Sequence, residues 1–218
     1  MQLEIKTIDN RYSNLAESDC CLSCGGSSEF AEVQLGDKVV DLGSGRGIEA
    51  LKLAEKVGEH GFIYGIDIAQ GMIDKAKKEA SKLEITNVDF LLAELPIIPL
   101  PDDSIDWVIS NCVINHVKDK LKLWQEVHRI LKPGGKFVVS DIYSSVPVPE
   151  KYANDVDAIA ECWGGAVTKQ EYWQQLNVAG FVTLNILEES KPYSKGEIEV
   201  SSFTILGTKK AKSCCCCN

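Results

Sequence analysis

Residues 35–58 read LGDKVVDLGSGRGIEALKLAEKVG, and this stretch decides the fold. A polar turn leads into a β-branched run at Val39 and Val40, then into the glycine-rich loop Gly43-Ser44-Gly45-Arg46-Gly47. Apolar residues follow at Ile48, Leu51, Ala54 and Val57, a helical spacing. Strand, glycine loop and helix in that order open an α/β unit. Glycines let the backbone turn sharply and come close to a ligand. The spacing is G-x-G-x-G, whereas the loop that carries a pyrophosphate to a helix start is G-x-G-x-x-G. Asp41, just before the loop, would sit badly beside a pyrophosphate. It suits a cationic or hydroxyl-bearing ligand better.

Working outward, the same alternation continues. Gly61 to Asp67 reads as a second strand and Gln70 to Leu83 as a helix. NVDFLLAEL (87–95) is a third strand with its end. SIDWVISNCVI (104–114) is nearly continuous in apolar character, as a strand buried on both faces should be. Asp119 to Leu131 reads as a helix stopped by Lys132-Pro133-Gly134-Gly135, and KFVVSDIY (136–143) as a fifth strand. Pro149 to Cys162 and Thr168 to Ala179 read as helices, and FVTLNILEE (181–189) and SSFTILGTKK (201–210) as final strands. The pattern predicts a doubly wound, Rossmann-like α/β sheet of seven strands with ligands at the strand carboxyl ends. Residues 1–35 form an irregular, cysteine-containing cap segment, 36–210 the main domain, and 211–218 a cysteine-rich tail.

The 218 residues are 44% hydrophobic and 25% charged, enough apolar material for one core. The net charge of −9 repels phosphate backbones, so no nucleic-acid partner is expected. No apolar run spans a bilayer and the N-terminus lacks a signal-peptide pattern, so a cytoplasmic location is expected. The chain has nine cysteines: Cys20, Cys21, Cys24, Cys112, Cys162 and the run Cys214 to Cys217. An odd count without a secretion signal is not a disulfide framework. In a reducing compartment such thiols point to soft-ligand binding or reactive chemistry.

Asp67 ends the second strand, where a carboxylate can accept from both ribose hydroxyls. Met72 could pack on a flat base, and Glu94 could accept from an exocyclic amine. Together VVDLGSGRG, YGID, the AEL turn, DDSIDWVISN and LKPGG resemble the class I S-adenosylmethionine (SAM) dependent methyltransferases over roughly residues 36–143. The resemblance implies SAM as cofactor. It puts Asp41, Gly43, Ser44 and Gly45 beside the methionine part, Asp67 and Met72 with Glu94 around the nucleoside, and Asn111 near the sulfonium.

SNCVINHVKDK (110–120), SDIYSSVPVPEKY (140–152) and AECWGGA (160–166), with an early CC segment, further resemble the arsenite methyltransferases. That resemblance implies that Cys112 and Cys162 hold trivalent arsenic, with Cys20 or Cys21 as a third thiolate. Arsenite and methylarsenite would be the substrates, and glutathione or thioredoxin the thiol reductant, because each transfer formally oxidises arsenic. Soft arsenic(III) suits thiolates, and its lone pair needs no general base. Cys24 has no assigned partner. His116 reads as a packing or capping residue and Glu161 as solvated. The tail cysteines either collect arsenic by thiol exchange or form a mobile, oxidation-prone end. Two other readings remain: methylation of a small organic acceptor, in which Cys112 and Cys162 are dispensable, and a non-catalytic thiol buffer for metalloids.

Overall fold

The computed structural model describes residues 26–211. After a short helix α1 (Ser27–Phe30), the order is β1 (Lys38–Leu42), α2 (Ile48–Val57), β2 (Phe62–Asp67), α3 (Gln70–Lys82), β3 (Val88–Leu92) and β4 (Ile105–Asn111). A 3₁₀ turn (Ile114–His116) leads to α4 (Lys120–Ile130), β5 (Leu131–Ser144), α5 (Glu150–Ala153), α6 (Val156–Ala160) and α7 (Lys169–Ala179). The chain ends with β6 (Phe181–Glu189), β7 (Tyr193–Lys195) and β8 (Ile198–Lys209).

Seven strands lie side by side in the order β3-β2-β1-β4-β5-β8-β6. The first five are parallel, and β8 enters antiparallel between β5 and β6. The expected doubly wound sheet is therefore present. The short β7 adds a hairpin on β8 that its polar sequence, SKPYSKGE, did not announce. The helix before Lys132–Gly135 stops at Ile130, as expected, but these four residues are not a loop outside the sheet. They bulge within β5, between the pairs Ile105–Leu131 and Trp107–Lys136.

Each face of the sheet carries its own core. Trp124, Phe137, Tyr172 and Phe181 pack on one side, and Leu53, Ile63, Phe90 and Ile109 on the other. The helix starts follow from side-chain caps. Asp119 accepts from the Lys122 amide at 2.9 Å, and Thr168 from the Glu171 amide at 3.2 Å. In α2 the buried residues are Ala50, Leu51, Leu53, Ala54 and Val57. Ile48, expected on that face, is 52% exposed. The single helix expected over 149–162 is two short ones, α6 starting afresh at the Asp155 cap. Among the described residues no helix is long and apolar enough to cross a membrane.

Candidate active site

Register brings the strand carboxyl ends to one edge. Leu42 pairs with Ile66 and with Ser110, Asp67 with Leu92, and Asn111 with Ser140. The glycine loop follows β1, Asp67 closes β2, Glu94 lies two residues beyond β3, and Asn111 closes β4. Residues up to seventy apart in sequence thus share one rim.

On the β1–β3 side, the Gly43 and Ser44 amides both donate to the Ile66 carbonyl, at 2.7 and 3.1 Å. Gly43 has φ +71°, and a Cβ there would lie 2.0 Å from the Val113 methyl, so both conformation and space demand glycine. The Asp67 carboxylate accepts the Gly45 amide on one oxygen and the Ala69 amide on the other, each at 2.9 Å. An ionised carboxylate offers about four acceptor sites, so these bonds aim Asp67 without exhausting it. Asp41 is 4% exposed. Burial first, then the carboxylates of Glu49 and Asp67, pushes its pKa up to about 8. A cation bound at the loop would reverse that cost, so this buried acid fits the positively charged SAM. The Ser44 hydroxyl is buried with no hydrogen-bond partner among the described residues. Met72 is buried within the start of α3 and Glu94 is exposed on the rim.

The β4–β5 side is built differently. Cys112 continues the β4 ladder through its amide bond to the Ser140 carbonyl at 2.8 Å, then turns at φ +54°. Cys162 sits at φ +67°. A non-glycine residue held there costs of order 1–3 kcal/mol, a strain that gathers at functional sites. Both cysteines are 5% exposed, and they share a small cluster with Ile142, Ala158, Trp163, Ile198 and Val200. The Cys162 sulfur lies 3.3 Å from the Cys112 carbonyl oxygen and 3.2 Å from His116 Nε2. The Cys162 thiol therefore meets the backbone of Cys112 across fifty residues of sequence, within one buried cluster. His116, read from the sequence as a packing or capping residue, is thus in contact with the Cys162 thiol. Glu161, read as solvated, is exposed and accepts hydrogen bonds from Trp163 Nε1 at 3.2 Å and Lys195 at 2.9 Å.

Other residues that the sequence did not single out hold this arrangement. Asn115 donates to the Asp141 carboxylate at 2.9 Å and to the Ile142 carbonyl at 2.7 Å, pinning the 3₁₀ turn to β5. Gly165 passes so close that a Cβ would lie 2.0 Å from the Asn115 carbonyl. The glycine pair after Cys162-Trp163 and the Asn in VINH were signals, but only the tertiary contact gives them meaning.

The start of the described chain also reaches this rim. The Ser27 amide donates to Asn111 Oδ1 at 3.2 Å, and the Ser28 hydroxyl donates to the Glu49 carboxylate. Burial raises the Glu49 pKa, but the hydrogen bonds from Ser28 and Lys52 outweigh it, and the net shift is downward. Cys20, Cys21, Cys24 and Cys214 to Cys217 lie outside the described residues, so their expected roles have no structural counterpart here. Among the described residues no group of three His, Cys, Asp or Glu side chains could hold a metal ion.

Comparison with known proteins agrees with this geometry. A methyltransferase-domain family model matches residues 34–180. The arsenite methyltransferase of Halobacterium salinarum is 36% identical over 169 residues, covering 78% of this chain and 43% of its own. The human arsenite methyltransferase is 38% identical over 149 residues, covering 64% and 39%. The chain thus spans roughly two fifths of the length of these relatives. The crystal structure of an arsenic(III) S-adenosylmethionine methyltransferase from Chlamydomonas reinhardtii superposes with a TM-score of 0.76 at 27% identity, over 93% of this chain and 74% of that one. The resemblance to arsenite methyltransferases holds over most of the chain. With its sheet order, its glycine loop and the matched family model, the chain belongs to the methyltransferase-domain family of class I SAM-dependent methyltransferases.

Proposed function

We propose that this methyltransferase transfers methyl groups to thiolate-bound trivalent arsenic, converting arsenite and methylarsenite to more methylated forms. One observation carries the reading: Cys112 and Cys162, both in strained left-handed turns, meet at the sheet edge that bears the glycine loop. The arsenite methyltransferases among its relatives support the same substrate.

SAM supplies an electrophilic methyl group on a sulfonium. Asp41 and the Gly43–Gly45 loop would hold its methionine part, Asp67 its ribose, and Met72 and Glu94 its base, with Asn111 between donor and acceptor. Cys112 and Cys162 as thiolates bind arsenic and leave its lone pair as the nucleophile. The buried cluster around them limits water at the reacting centre. A third thiolate comes from the N-terminal segment. Cys24 is three residues ahead of Ser27, within a covalent reach of roughly 11 Å. Cys21 and Cys20 are six and seven residues ahead. A thiol reductant, glutathione or thioredoxin, returns arsenic to its trivalent state, as the cytoplasm provides.

Incubation with arsenite, SAM and glutathione, followed by arsenic speciation, tests this directly. Methylated arsenicals are the expected product, and their absence would sink the proposal. Valence gives a finer test. Changing Cys20, Cys21 and Cys24 to Ser, with residues 212–218 deleted, should block methylation of arsenite and spare that of methylarsenite, which needs two sulfurs. Equal loss on both substrates would make the segment a structural cover.

A further inference from the structure

We infer that His116 is the proton carrier for loading the substrate onto Cys162. The inference rests on the arsenical reading above and extends it to a residue with no assigned role.

His116 closes the 3₁₀ turn that follows Cys112, and its Nε2 lies 3.2 Å from the Cys162 sulfur. That separation is within reach for a sulfur hydrogen bond. The ring is held from both ends of the turn. Its own amide bonds the Val113 carbonyl at 3.0 Å, and the preceding Asn115 is clamped to Asp141 and Ile142. On the other side, the Cys162 amide bonds the Ile159 carbonyl at 2.9 Å, and α6 beneath it starts at the Asp155 cap. The ring and the thiol are therefore each fixed by their own turn. Among the described residues the thiol hydrogen has in reach the Cys112 carbonyl at 3.3 Å and the His116 nitrogen as acceptors. Only the nitrogen can take the proton away. His116 is partly buried, whereas the two cysteines are buried.

Loading arsenite requires such a group. At each sulfur a thiol replaces a hydroxyl on arsenic: the S–H and As–O bonds break, an S–As bond forms, and one water leaves. No electrons are exchanged. The proton of Cys162 passes to His116 Nε2 and from there to the departing hydroxyl, which leaves as water. The nitrogen returns to its starting state. A group that carries a proton in both directions speeds binding and release alike and leaves the equilibrium alone. A ligand to arsenic, or a residue needed only for the shape of the site, would change the equilibrium.

The test is stopped-flow tryptophan fluorescence, with Trp163 beside Cys162 as reporter. Arsenite is mixed with SAM-free wild type, His116→Gln and His116→Leu, after SAM titration has certified each fold. Both variants are expected to load and release arsenite about 100-fold more slowly, the size of a typical acid–base contribution. Their dissociation constants should stay within twofold of wild type. Added imidazole should restore the loading rate of His116→Gly. Wild-type rates in His116→Gln, whose amide can donate to the sulfur but cannot carry its proton, would reduce His116 to a positioning role and overturn the inference. A weakened equilibrium in both variants, without imidazole rescue, would overturn it as well. If wild type itself shows no arsenite-dependent change, the arsenical reading fails and takes this inference with it.

Discussion

The two halves of the rim are made by different means. On the β1–β3 side Asp41 and Asp67 sit at the ends of regular strands, and the backbone does the rest: paired amides on the Ile66 carbonyl, and Asp67 bracing the loop. On the β4–β5 side the groups sit in left-handed turns, and Asn115, Asp141 and Gly165 hold them there. The first half binds a cofactor common to many methyltransferases, so periodic structure suffices. On the proposed arsenical reading the second must aim two sulfurs at one atom, and it does so from turns with positive φ.

If the halves are separable, the largest effect falls on chemistry with binding intact. Cys112→Ser and Cys162→Ser should each lower arsenite and methylarsenite methylation by at least about two orders of magnitude, since a hydroxyl is a hard, poorly ionised ligand. SAM affinity, followed by calorimetry, should be unchanged. A variant that methylates methylarsenite at the wild-type rate would remove that cysteine from the site.

The mirror experiment is Asp67→Ala. It should weaken SAM binding by roughly 2–4 kcal/mol, from two lost charge-assisted bonds and a loosened loop. Arsenite binding to the SAM-free protein should persist. Loss of both would show that the halves are coupled through the loop.

Gly165→Ala probes the brace of the acceptor half. The new Cβ must displace the Asn115 carbonyl, at a cost of about 1–3 kcal/mol in denaturant unfolding. The displacement should reach Cys162 and weaken arsenite binding, while SAM affinity stays. Unchanged stability would mean that the turn yields freely.

The smallest effect per unit change is set by pH. With its folded pKa raised to about 8 from 3.8, Asp41 holds a proton that the unfolded chain releases. Its contribution to stability is therefore present at low pH and is lost as pH rises from about 4 to about 8. SAM binding should move the opposite way. If the cation needs the carboxylate, affinity rises by up to about 1.4 kcal/mol per pH unit until about pH 8, then levels. Asp41→Asn should flatten the profile, and an unaltered slope in that variant would exclude Asp41 as its source.

The sequence by itself determined the alternation of strands and helices, the glycine loop and the acids at strand ends, because these are local. Val39-Val40, Gly43 and Asp67 sit in or beside periodic elements whose register follows from a parallel sheet. Ile48 escaped this logic, since helical periodicity cannot tell where the sheet beneath a helix stops. The β7 hairpin escaped it too, because three polar residues carry no period. Cys112 and Cys162 were legible as a pair only through resemblance. Their meeting, the contact of His116 with Cys162, and the clamp of Asn115 under Gly165 were decided by tertiary structure. The physical reason is that these contacts join residues up to fifty apart through turns with positive φ, where neither hydrophobic spacing nor backbone propensity leaves a mark. Only the packing of β5, α6 and the 3₁₀ turn against one another fixes where those side chains point.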